Sequence, residues 1–189
     1  NGGFMVLDPK VIDYIDGDDT VDSQEFAKLI DLLKDEDCDV VLNNYCLDMP
    51  YLNRIDPQEE YTMLAEGVEY RFEDLCYDNY GFATWGPLLS TSTYKLSMIK
   101  KRPFHITEKM FYDDMEWNLN IYINCETVKF YKLNIYNYLI GRAGQSISNE
   151  ALIRNHAMHR QMVGNLLKIY QQNAFSISAN KRNMIENKI

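Results

Sequence analysis

The sequence predicts an α/β domain, and three observations lead there. Residues 11–47 run as strand, acidic turn, amphipathic helix and second strand. Apolar residues recur at helical spacing over 22–36 and again over 148–172. Residues 126–141 alternate apolar and polar side chains as strands do. At 189 residues the chain is long enough for one domain with a real core and short for two.

Each element has its own signal. In "VIDYIDGDD" (11–19), Val11, Tyr14 and Ile15 suit a strand, and Asp16, Gly17, Asp18 and Asp19 suit its termination in a turn. "DSQEFAKLIDLLKDE" (22–36) sets Phe26, Leu29, Ile30, Leu32 and Leu33 on one helical face. Asp22 is its N-cap, and Glu25 stands in the capping-box position. "CDVVLNNYCL" (38–47) is a Val- and Leu-rich strand, and strand, helix and strand together predict a βαβ unit in a largely parallel sheet. Pro50 and Pro57 make 48–72 a loop-rich excursion with one short strand. Residues 71–81 form a short helix stopped at Gly81, and 83–104 a strand leading into a short basic helix that ends at Pro103. "FYDDMEWNLNIYIN" (111–124) is a helix with Met115, Leu119 and Tyr122 on one face and Asp113 and Asp114 in its first turn. Residues 126–141 read as two short strands. A long helix over 148–172, capped by Ser148 or Asn149, carries Leu152, Met158, Met162, Leu166 and Ile169 as its stripe, and a further helix or a frayed end follows Phe175. The expected division is a main domain over 1–148 with a helical extension over 149–189 packed on it.

Composition narrows the function. The chain is 46% hydrophobic, 25% charged and 13% aromatic, with 9 Gly and 5 Pro, which excludes disordered and collagen-like classes. A net charge of −9 disfavours binding to nucleic-acid phosphates. That charge is unevenly spread: residues 1–80 carry 21 acidic against 5 basic side chains, and 81–189 carry 7 against 14. Such halves suit a self-complementary fold, solvated faces, or a carboxylate metal site facing a basic surface (Lys95, Lys100, Lys101, Arg102) for phosphates or anionic lipid. Cys38, Cys46, Cys76 and Cys125 have no short spacing, so neither a zinc knot nor a disulfide framework is expected. No apolar run approaches the ~18 residues of a membrane span. A reducing, cytoplasmic setting is the expectation.

Four features can carry chemistry. Asp16, Asp18 and Asp19 at a strand end are hard oxygen donors of the kind Mg²⁺ or Mn²⁺ takes, and ligands of open α/β sheets bind beyond the carboxyl ends of strands. The same acids would also serve as an Asp-rich turn leading into the helix. Asp113 and Asp114, beside Phe111, Tyr112 and Trp117, suit a general base for a hydroxyl or a helix-dipole complement. Arg142, among small residues, suits neutralisation of a diphosphate. Trp85 is a sugar-stacking platform or a core aromatic. His156 and His159 lack a third ligand at a recognisable spacing and receive no role.

Taken in order, these segments resemble family 2 inverting glycosyltransferases. "YIDGDDTVDSQEFAKLIDLL" is similar to their strand, D-x-D and helix. "TWGPLLSTSTYKLSMI" is similar to their W-x-K-L stretch, with Pro87 in place of the lysine. "ITEKMFYDDMEWNLNIYINCETV" is similar to their E-D-x-x-F/W helix, and "IYNYLIGRAGQSIS" to their closing Y-x-Y-R-x-x-x-G-S-x-S. The resemblance implies a GT-A-like (Rossmann-like) mixed sheet flanked by helices, with a C-terminal helical segment, present from the D-x-D onward and lacking most of the N-terminal nucleotide-binding half. It implies Asp16 and Asp18 as ligands of a divalent metal (Mn²⁺ or Mg²⁺) on the diphosphate of a nucleotide-sugar, a UDP-sugar foremost, with Asp19 beside them. It further implies Asp114 as the base, Asp113 beside the acceptor and Arg142 near the late basic position. The acceptor is then a saccharide or lipid-linked hydroxyl, in bacterial cell-surface polysaccharide synthesis at the inner face of the membrane. The alternative is a non-catalytic binding domain of the same ancestry.

Overall fold

Helix α1 (Ser23–Leu33) forms where the apolar spacing predicts it, and the cap is the expected one. The Asp22 carboxylate accepts from the backbone N–H groups of Gln24 and Glu25, both at 2.9 Å. Glu25 turns instead to Lys28 at 2.5 Å. The computed structural model describes residues 19–77, 87–108, 110, 112–141 and 153–189, with only the backbone of Asp113. The strand expected at 11–15 lies outside them.

Around α1 the described elements are β1 (Thr20–Val21), β2 (Val40–Met49), β3 (Arg54–Gln58), β4 (Glu69–Arg71), α2 (Phe72–Leu75), β5 (Ser92–Tyr94), α3 (Leu96–Lys101), α4 (Asp113–Asn124), β6 (Thr127–Leu139), α5 (His156–Asn173) and α6 (Ala179–Lys188). The six strands form one mixed sheet, with β2 and β6 paired in parallel at its centre. Every other described pairing is antiparallel: β5 and β3 border successive halves of β2, and β4 and β1 border successive halves of β6. Among the described residues the sheet is thus mixed rather than largely parallel, which corrects that expectation; the first strand of the expected βαβ unit, 11–15, lies outside them. β1, a separate two-residue strand, runs antiparallel to β6, which stands between β1 and β2.

A second correction concerns 126–141, which is one 13-residue strand rather than two. Val128 and Phe130 pack into the larger core, whereas Leu133 and Ile135 pack under α1 with Val41, Leu29 and Leu33. The buried side chains shift from even to odd positions because the strand buries one face first and the other later. The β2–β6 register shifts between Leu42 and Tyr45, where the longer path of β6 is absorbed. The long C-terminal helix is found over His156–Asn173, in the expected span, with Asn155 as its N-cap; residues 142–152, which include the expected start, lie outside the description. Its Met162 and Leu166, with Met184 and Ile185 of α6, join the same core as Val40, Leu42, Ile121 and Tyr122.

Polar clasps fix the amino ends of the central pair. The Asp39 N–H donates to Thr127 Oγ1 at 3.0 Å, and the Asp39 carboxylate accepts from the N–H groups of Glu126 at 2.7 Å and Thr127 at 3.3 Å. The buried Lys181 ammonium donates to the carbonyls of Ile123 (3.2 Å) and Cys125 (2.5 Å) at the end of α4, and lies 5.3 Å from the Phe72 ring centre. A cation there complements the negative end of the helix, although burial pulls its pKa down.

All four cysteines are buried and reduced. Burial pushes the Cys38 and Cys76 thiols up from 9.0 to about 12 and raises Cys46 and Cys125 as well. The neutral thiol is favoured in the fold, so its contribution is complete below about pH 9, where unfolded thiols begin to ionise, and is lost as pH climbs toward 12. Iodoacetamide at pH 8 is expected to leave the native chain unlabelled and to label four thiols in denaturant, and urea midpoints are expected to fall progressively above about pH 9. Rapid native labelling would contradict the burial.

Candidate functional site

The carboxyl ends of the two parallel strands lie together, and here the described end of the acidic turn is bound. Asp19 lies one residue before β1. One carboxylate oxygen accepts from the backbone N–H of Leu139, the last residue of β6, at 2.8 Å; the other accepts the Tyr136 hydroxyl. Around it, the Asp22 N–H donates to the Ile135 carbonyl at 2.8 Å, and Asn137 Nδ2 to Thr20 Oγ1 at 3.2 Å. The Ile140 N–H donates to the Asp48 carbonyl at 3.0 Å and ties the exit of β6 to β2. Asp19 thus fastens the segment that follows Asp16 and Asp18 to the carboxyl end of β6.

Of the residues expected to act, Asp16, Asp18, Trp85 and Arg142 lie outside the described residues. Asp19 is half-buried and fully engaged by the sheet, yet each carboxylate oxygen carries two lone pairs, so a cation remains compatible with its hydrogen bonds. Among the described residues, no three His, Cys, Asp or Glu side chains stand close enough to hold a metal ion. The donor set expected at the turn, carboxylate oxygens only, is chemically suited to Mg²⁺ or Mn²⁺.

Asp114 is exposed in the first turn of α4, and Asp113 opens that helix. Tyr112, the N-cap, sits in the left-handed region at φ 70° and makes no side-chain capping bond. A bulky residue there is strained and persists only where its surroundings impose the conformation. Its ring meets His159 of α5 edge-on, with centres 5.3 Å apart.

Two residues that position this helix escaped the sequence reading. Glu116 is 1% exposed and accepts from the Thr107 N–H (2.9 Å), Thr107 Oγ1 (3.0 Å) and Asn165 Nδ2 (2.7 Å), joining α4 to α5 and to the preceding loop. Lys181 holds the other end. A charge inside an acidic or basic stretch reads as solvated, and only the three-dimensional partners reveal otherwise. Trp117, expected near the chemistry, packs edge-on between Tyr94 and Phe104.

The charge asymmetry resolves partly into pairs between the halves. Lys129 meets the buried Glu36 at 2.7 Å, Lys132 meets Glu59 at 2.6 Å, Lys95 pairs with Asp37, and Lys101 meets Glu126 at 3.1 Å within the second half. The basic surface at 95–102 is thus partly neutralised by its own chain. Among the described residues, no helix is long and apolar enough to cross a membrane.

No protein-family model matches the chain, and a search of curated proteins finds no match. Among solved structures the chain is similar to S. aureus TarS 1-349, at 16% identity and a TM-score of 0.47. That match covers 66% of this chain and 34% of TarS 1-349, and at this level it assigns no activity.

Replacing Asp19 by Ala removes the charged acceptor of the half-buried Leu139 N–H and Tyr136 hydroxyl. Urea unfolding of Asp19→Ala is expected to show a loss of about 1–3 kcal/mol. A loss under a few tenths would mean that the turn is not fastened through this carboxylate.

Proposed function

We propose that the chain is a glycosyltransferase domain that transfers a sugar from a nucleotide diphosphate-sugar, a UDP-sugar foremost, to an acceptor hydroxyl with inversion. One observation carries the reading. The Asp19–Leu139 bond holds Asp19, the described end of the acidic stretch, at the carboxyl ends of the parallel strands β2 and β6, and open α/β sheets bind their ligands at such ends. The strained Tyr112 immediately before Asp113 and Asp114 adds support, since such backbone clusters at functional sites.

In this reading Asp16 and Asp18 would hold Mn²⁺ or Mg²⁺, with Asp19 next to them in the chain and bonded to Leu139 and Tyr136. A divalent cation there supplies charge neutralisation for a diphosphate leaving group. Asp114 accepts the acceptor's hydroxyl proton as its oxygen bonds to the anomeric carbon. The bond from that carbon to the diphosphate breaks, and the electron pair leaves with the nucleoside diphosphate. Arg142, following Gly141 at the end of the β6 segment, adds positive charge for that group. Asp113 and Trp85 line the acceptor side. Glu116 and Lys181 hold α4 at its two ends and so keep Asp114 in place. The acceptor is a saccharide or a lipid-linked saccharide of the bacterial cell surface, used at the cytoplasmic face of the membrane. A non-catalytic binding domain is the second reading, favoured by the engagement of both Asp19 oxygens within the protein.

Two measurements separate these. Thermal melting with Mn²⁺ and UDP-, GDP- and dTDP-sugars is expected to rise for one nucleotide, in a metal-dependent way, and to stay flat for Asp16→Ala/Asp18→Ala. No rise with any metal and nucleotide would remove the donor site. Asp114→Asn is expected to reduce transfer by about 10²- to 10⁴-fold, the contribution of a general base, with the donor-induced shift unchanged. Normal turnover by this variant would relieve Asp114 of that role, and absent turnover in the native chain with an intact shift would favour the binding domain.

A further inference from the structure

Beside the carboxyl end of β2 the chain holds an aromatic ring in the open. Tyr51 sits in a single 3-10 turn, Pro50–Leu52, directly after β2. Pro50 stiffens the entry to that turn, and Asn53 closes it in the left-handed conformation at φ 49°, its N–H donating to the Pro50 carbonyl at 3.0 Å. The residue is 65% exposed. An exposed tyrosine normally samples several rotamers, but this one meets the backbone of Gly141, two residues beyond β6. A Cβ placed on Gly141 would lie 2.5 Å from Tyr51 Cε1 and 2.9 Å from Cδ1. Gly141 itself has φ 87°. The glycine therefore serves both a left-handed turn and the seating of the ring's edge, leaving much of the ring open to solvent.

We infer that Tyr51 is a saccharide-stacking platform that receives the acceptor at the rim of the site; this deepens the reading above and rests on it for the word acceptor. Three observations select the ligand. The ring stands at the same sheet end as Asp19, because Ile140 is bonded to Asp48 and Leu139 to Asp19. Residues 48–60 carry Asp48, Asp56, Glu59 and Glu60 against Arg54; with Arg54 on Asp56 and Lys132 of β6 on Glu59, an acidic excess is left that repels nucleotide diphosphates and anionic lipid headgroups. Arg54 Nη2 donates to both carboxylate oxygens of Asp56 at 2.7 Å on the exposed strand β3, which follows Tyr51 within three residues and supplies further donors and acceptors. A neutral polyol with an apolar face matches an open aromatic ring on such a polar segment better than a purely apolar partner does.

The test titrates the whole chain with maltotetraose, cellotetraose and chitotetraose, following tyrosine ring resonances and saccharide saturation transfer by NMR. At least one tetrasaccharide is expected to bind with a millimolar Kd. Tyr51→Phe is expected to bind within about threefold of the native chain, and Tyr51→Ala at least tenfold more weakly, with unchanged circular dichroism. Gly141→Ala, which pushes the ring from its seat, is expected to weaken binding as well. Equal affinity in Tyr51→Ala, or no binding of any tetrasaccharide by the native chain, would overturn the inference. The metal-dependent nucleotide shift, measured in parallel, is expected to be unchanged in Tyr51→Ala. Tyr51-dependent saccharide binding without any such shift in the native chain keeps the platform and removes the proposed reaction; a shift accompanied by Tyr51-independent binding does the reverse.

Discussion

Parallel pairing of β2 with β6 is the constraint on which the rest of the structure depends. The two strands come from residues about ninety positions apart, so their closure orders most of the intervening chain. Once paired, each central strand has one free edge, and four short strands divide those edges between them. The pair also creates two unlike ends. At the amino end, Asp39 and Thr127 exchange hydrogen bonds and lock the start of the ladder. At the carboxyl end, Asp19 and Asp48 collect the exit of β6. In both places an aspartate receives backbone N–H groups where the ladder stops, as backbone donors beyond regular structure require.

Much of this architecture is legible in the sequence. The Asp22 cap, the apolar face of α1, the Val-rich β2 and the acidic start of α4 follow from local rules, and each lies within a few residues of its expected place. The pairing partner of β2 does not, because periodicity reports which face of a strand is buried and is silent about its neighbour. Strand β6 shows the same limit from another side. Its apolar residues change phase between Phe130 and Leu133, which locally looks like a break, and only two separate covering layers explain why one strand would do this. The site is less legible still. Asp19 reads as a ligand by composition and is found engaged by the sheet, while Glu116, which no sequence signal singles out, is found at the centre of a buried network.

Helix α4 connects the two layers of the problem. It buries Leu119, Ile121, Tyr122 and Ile123, but also Glu116, Asn118 and Asn120, so it is enclosed on more sides than its polarity suggests. Asn120 Nδ2 returns to the Glu116 carbonyl at 2.8 Å, and Glu116 reaches out to Thr107 and Asn165. Polar groups placed so deeply are costly unless every partner is present, and when satisfied they define one arrangement of the packed helices. The exposed Asp114 therefore rides on a helix whose position is specified by hydrogen bonds as well as by packing.

The acidic and basic halves of the chain acquire a meaning from this arrangement. Lys129 and Lys132 of β6 pair with Glu36 and Glu59, which stand on either side of β2, so part of the asymmetry is consumed in closing the sheet. Exposed pairs of this kind contribute little individually, but Lys129–Glu36 is largely shielded from water and sits where β6 meets the end of the α1 segment. Beyond these pairs, Asp48 adds acidity at the carboxyl end of β2, while Lys100 and Arg102 are exposed at the end of α3. In the proposed reaction a negatively charged donor would meet the acidity near β2 through a bound cation, and a neutral saccharide would meet no such barrier.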